Sequence, residues 1–228
     1  MGTFRMGLAA VALSAVVASG AFAASVVSGV PSSSAGAITA AFAHAPGPWK
    51  VPIGADGSAK YSAWPNACQL LNLRVLKVLL PGTTSVKTVG QHGQLLSGGE
   101  TPKFTHCAYN VHGSYDPPAS DGYPPSHIDL ELRGIFDAAS VKQEWTQHQA
   151  DQAKIAKKYP DQYALFKRPN GVACFWDSSV LECMSGTWSF WVIGTFIDKT
   201  GSDVPALEKA FLTKVLVPTA FGLASRMH

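Results

Sequence analysis

The chain has 228 residues, with Lys+Arg 18 against Asp+Glu 15 and a formal net charge of +3 at pH 7. So slight an excess, with no basic run, argues against a nucleic-acid partner and against a polybasic membrane contact. From about Trp49 onward the length suits one domain with a real hydrophobic core, so disulfides would reinforce that core rather than replace it.

Residues 1–49 carry one charged side chain, Arg5. It opens a short basic start, Gly7 to Val17 is apolar, and Ala21-Phe22-Ala23 offers the small-x-small pattern of a cleavage site. Residues 1–23 therefore read as a secretory signal peptide. The alternative is an uncleaved anchor, since low charge persists through Val30 and a span needs about 20 residues. Gly20 and the many small residues interrupt such a span. No cysteine follows the apolar stretch, which excludes a lipid-anchored precursor of the bacterial lipoprotein kind. Residues 24–48, rich in Ala, Ser, Gly and Pro, read as a flexible linker or second cleavage region. Residues 49–228 read as a single domain. Four cysteines behind a signal peptide imply two disulfides and a secreted or cell-envelope location.

Trp49 to Trp64 is mostly irregular, with Pro52, Gly54 and Gly57. Asn66 caps an expected helix, NACQLLNLRVLKVLL, which ends before Pro81-Gly82. Leu71, Val75 and Val78 or Leu79 share a face with Cys68, on its first turn. Thr83 to Lys103 is a Gly/Thr/Ser-rich connection with a weak strand signal. Phe104 to His112 alternates, with Cys107, Tyr109 and Val111 on one face and His106, Asn110 and His112 on the other. His127 to Phe136 alternates more cleanly: Ile128, Leu130, Leu132 and Phe136 inward, Asp129, Glu131 and Arg133 outward. Between these strands Gly113 to Ser126 forms a Pro/Gly/Tyr-rich loop, of a length uncommon unless functional or disordered.

Asp137 or Ser140 starts the longest helix, to about Lys158, with Val141, Trp145, His148, Gln152 and Ile155 on one face. Pro160 ends it, and Tyr159 to Asn170 leads into Val172–Ile197, which holds two of the four cysteines and three of the six tryptophans. A turn centred on Ser178-Ser179 sets Trp176 opposite Leu181, Phe175 opposite Glu182 and Cys174 opposite Cys183. With Asp177 and Val180 closing the loop, the cysteines form a non-hydrogen-bonded pair about 4.5 Å apart at Cα, within the range a disulfide tolerates. A two-residue and a four-residue loop keep the same register. Two buried free thiols are the alternative. Taking this bridge as local leaves Cys68 with Cys107. Thr187 to Ile197 is apolar on both faces, Trp188, Phe190, Val192 and Phe196 against Trp191, Ile193 and Ile197, so it should be a central strand. Asp203 caps a last helix with inner stripe Val204, Leu207, Phe211 and Val215, and Pro218 breaks or kinks it. The order of elements gives an α+β fold: an antiparallel sheet of about five strands with helices packed mainly on one face.

NACQLL before a helix, HCAYNV on a following strand, the Val-x-Cys hairpin and the C-terminal helix resemble a family of secreted proteins and lipoproteins from actinobacteria. They also resemble the extracellular sensor domain of a mycobacterial Ser/Thr kinase. The resemblance spans roughly Tyr61 to Phe221. Asn66-Ala67 stands where the family often has Asp-Pro, and the lipid-attachment cysteine of many members is missing. The resemblance implies this fold, two disulfides and a cell-envelope module that binds or senses a ligand. It implies no catalytic residue.

No stretch spells a catalytic or cofactor motif, so no catalytic residue and no cofactor is assigned. His106 and His112 share a strand face and His127 begins the next strand, so the three would approach Asp129 if the hairpin is in register. Imidazole with carboxylate can hold zinc or copper, yet the spacing matches no metal motif such as H-E-x-x-H, and exposed strand histidines are the plainer reading, so no metal is assigned. Tyr115 and Tyr123 lie on the long loop, where aromatics give contact area at low entropic cost; the alternative is a loop folded back on the sheet. Tyr115, Tyr123, His112 and His127 are thus the candidate ligand-binding residues. The expected function is non-catalytic binding of a small-molecule or cell-envelope ligand, with a partly apolar cleft near Gly113–Ser126. The alternative is a secreted hydrolase of unrecognised type, for which there is no G-x-S-x-G elbow.

Overall fold

The structure, a computed structural model, describes residues 33–45, 50–92, 105–118, 121–168, 171–177, 180–198 and 204–227. The 1–23 segment lies outside them. The strand that is apolar on both faces, β7 (Trp188–Thr195), takes the middle of the sheet. To one side run β3 (Ser126–Ile135), β2 (Thr105–Gly113) and β1 (Thr83–His92); to the other run β6 (Leu181–Ser185), β5 (Ala173–Trp176) and β4 (Ala164–Lys167). Every neighbouring pair is antiparallel. The sheet thus has seven strands, not about five. The two additional strands are its edges. β1 carries no alternation of apolar residues because it buries little, and β4 is four residues long.

One sheet face carries the main core. Cys107, Tyr109, Val111, Ile128, Leu130, Leu132, Trp188, Phe190 and Val192 are all fully buried there. Against it pack α1 (Ala35–Ala43), α2 (Leu73–Leu79), α4 (Val204–Phe211) and α5 (Val217–Ala224). The other face receives α3 (Ala138–Ala156), whose Trp145 packs with Ala173, Phe175, Tyr163 and Met184 over the β4–β6 side. Helices therefore do sit mainly on one face. Of the stripe expected on α3, Val141 and Trp145 are buried, whereas Ile155 is half exposed.

Local deviations have local causes. Asn66 caps only a short 3₁₀ turn, Ala67–Gln69, by accepting from the Cys68 N–H, and Asn72 caps α2 by accepting from the Val75 N–H. Two such side chains compete with helical bonding and split one expected helix into two pieces. In β3 the register shifts between Leu132 and Gly134. This bulge turns Ile135 into the core where Phe136 was expected. Within the segment read as a flexible linker, Ala35–Ala43 is helical: Ser34 caps it, alanine favours it, and Phe42 is fully buried.

Both disulfides form as read. Cys174 and Cys183 are cross-strand partners with Cα atoms 4.1 Å apart, and Cys68 joins Cys107 at 5.0 Å. Phe175 faces Glu182, Trp176 faces Leu181, and the Asp177 N–H donates to the Val180 carbonyl. Ser178-Ser179 and Asp203 lie outside the described residues. Two disulfides fit a non-cytoplasmic, oxidising compartment. No described helix is long and apolar enough to cross a membrane.

Candidate functional site

On the β1–β3 side the second sheet face is free of α3, and its outward residues gather there. Ala108 pairs with Asp129, which places His106 diagonally beside that carboxylate, while His127 lies two residues away on the same strand. His106 Nε2 is 4.0 Å and His127 Nε2 3.9 Å from Asp129 Oδ2. Asp129 Oδ1 is buried and has no hydrogen-bond partner. Asp129 raises the His106 pKa above its ordinary value; burial opposes the shift and Glu131 adds to it. Among the described residues, no three His, Cys, Asp or Glu are arranged to hold a metal ion.

His112 does not join this row. It sits at the loop end of β2, where its Nδ1 meets Asp116 Oδ2 at 3.3 Å. Asp116 also accepts from the Gly113 N–H, and so turns the chain out of the strand. Tyr115 is buried: its ring lies 5.1 Å from that of Phe196 and its hydroxyl is 3.0 Å from Thr83 Oγ1. At this end the loop is folded back on the sheet, because the aromatic ring gains more by joining Phe196 than by staying in water. Tyr115 is thus left 7% exposed. Tyr123 stays 64% exposed. Of the four candidate residues, Tyr115 is engaged with Phe196, His112 with Asp116 and His127 with Asp129, while Tyr123 faces solvent.

A second group of polar residues lies under α3. Glu182 is buried; its Oε1 is 3.0 Å from His148 Nδ1, and its Oε2 accepts from Trp191 Nε1 at 3.1 Å. Burial pushes its carboxyl above the usual range, and the His148 and Trp191 contacts oppose that shift. Arg133 covers the Trp191 ring at 4.2 Å and pairs with Glu131. This network closes on itself and ties α3 to the sheet.

A cleft with no described lining residue from the Gly113–Ser126 loop is present at α1 and α5. It opens between α1, α5 and the end of β4, with a volume of ≈ 410 Å³. Ile38, Val217, Pro218 and Phe221 supply apolar walls, Thr39, Thr213 and Ser225 supply hydroxyls, and Arg168 and Lys214 are its charged residues. Its shape comes from Pro218. Lacking an N–H, Pro218 cannot bond back to the preceding turn. The helix is not broken; residues Leu212–Leu216 widen into a π-turn, with the Val217 N–H bonding to the Leu212 carbonyl. Single π-turns inside helices recur at functional sites. Of the residues that line the cleft, only Pro218 stands out in the sequence. An isolated Arg168 and an Ala-rich segment carry no pattern that would place them together.

Comparison with family models, with curated proteins and with solved structures finds no match.

Proposed function

We propose that the chain is an exported, non-catalytic binding or sensing module of the cell envelope, as its resemblance to the actinobacterial secreted family implies, and that its ligand enters the α1/α5 cleft. The carrying observation is the cleft itself: its ≈ 410 Å³ falls in the range of small-molecule sites, about 300–1,000 Å³. Its lining also joins apolar walls to hydroxyl and cationic groups, the two kinds of contact by which such sites hold and orient a ligand. The two disulfides support export, as does the N-terminal pattern of basic start, apolar stretch and small-x-small site.

Native mass spectrometry of the full chain recovered from the medium of a secreting host tests this reading. The expected protein starts after Ala23, is four hydrogens lighter than its reduced form because of its two bridges, and carries a non-covalent ligand. Val217→Trp, which fills the cleft, should retain the fold by circular dichroism and lose that ligand. A ligand held equally well by Val217→Trp, or none in either protein, overturns the assignment.

A further inference from the structure

Resting on the reading that this cleft takes the ligand, we propose that the ligand is an amphiphile with a single anionic head, in its simplest form a long-chain carboxylate. The head would lie on Arg168 and the apolar body along Ile38, Val217 and Phe221. Among the described residues, the charged ones lining the cleft are Arg168 and Lys214, both cationic, and no carboxylate lines it. The Arg168 guanidinium carbon lies over the Phe221 ring, 4.4 Å from its centroid, and no ion pair among the described residues engages the side chain. Stacking on an aromatic ring leaves the donor fork of arginine free for an anion and fixes its direction.

The opening of α1 adds to the same field. Ser34 caps only the Ala37 N–H, and no acidic residue lies in the first turn, so the positive end of this nine-residue helix is unopposed. Behind these charges the walls are apolar. A small inorganic anion would satisfy Arg168 and leave the part-exposed Val217 and Pro218 in water. An uncharged lipid would bury those walls and leave the guanidinium unmatched. A molecule with an acid at one end and an apolar chain at the other matches both.

Calorimetry on the full disulfide-bonded chain, with dodecanoate, dodecanol and inorganic phosphate below micelle-forming concentrations, tests this directly. Dodecanoate should bind most tightly. Arg168→Gln should weaken dodecanoate about tenfold or more, as loss of a charge-assisted bond does, and leave dodecanol unchanged. Arg168 is exposed, so the variant should melt like the parent. A photoreactive dodecanoate should label peptides from α1 and α5. Equal affinity for dodecanoate and dodecanol, indifference of dodecanoate to Arg168→Gln, phosphate binding as tight as dodecanoate, or labelling confined to other elements each overturns the inference. If a ligand is meanwhile seen by native mass spectrometry and expelled by Val217→Trp, only the ligand class is lost and the cleft assignment stands. If neither dodecanoate nor a native ligand binds, both fall.

Discussion

Tyr109 is fully buried, yet its hydroxyl is not wasted: it donates to the Ala67 carbonyl and accepts from the Leu71 N–H at 3.2 Å. It thereby satisfies the irregular backbone between the 3₁₀ turn and α2, and burial drives its phenol pKa far up. Tyr109→Phe strands both groups and should cost about 1–3 kcal/mol, read as a lower urea midpoint at unchanged slope. His106 offers a titration. Its pKa is raised by Asp129 above the ordinary 6.5, so the protonated form binds more tightly in the folded state. Its contribution to stability is then full below pH 6.5 and fades as pH rises through the folded value. By NMR its midpoint should lie above 6.5 and fall toward it in Asp129→Asn. Glu182 has the same sign from a different cause, since burial raises its carboxyl above 4.5. Its proton stabilises the fold below that value, and the benefit is lost as pH rises. Glu182→Gln, which keeps an acceptor for Trp191, should gain in Tm relative to the parent as pH goes from 4.5 to 7. Strand parity put His106, His112 and His127 within reach of Asp129 on condition of the register, and the register found sets His106 and His127 beside it. That His112 falls to Asp116 was not, because a turn decides it.

Elements meet where small residues permit close approach. A Cβ built on Gly222 would sit 2.2 Å from the Phe42 ring, so α5 can lie on α1 only with glycine there. Gly222→Ala should destabilise by about 1–3 kcal/mol, as overpacking does, and combining it with Phe42→Leu should recover part of that loss. The two bridges differ in reach, spanning 39 and 9 residues. On the loop-closure model, replacing both cysteines of the longer loop by alanine costs about 4 kcal/mol, and of the shorter about 3. The urea midpoint of Cys68→Ala/Cys107→Ala should therefore be the lower of the two. The hairpin's register could be read beforehand because cross-strand pairing has a period of two and one bridge pins it. Of the edge strands, β1 left only a weak signal because it buries little, and β4 left none because it is four residues long.

The whole molecule is a sheet with one deep core and one partly covered face, and its cleft belongs to neither. It sits where three segments distant in sequence meet: the start of α1, Arg168 at the end of β4, and the π-turn with α5. The sequence by itself determined the antiparallel α+β layout, the central place of β7, both cysteine pairs and the alternating faces of β2 and β3. Each of these depends on periodicity or on spacing along one or two neighbouring segments. Only the tertiary structure decided that Tyr115 is spent on the core, that Ala35–Ala43 becomes a packed helix, and that Arg168 overhangs Phe221. Those outcomes depend on which surfaces are left to be buried once the sheet has formed. Such a remainder is a property of the assembled body, and no window of the chain encodes it.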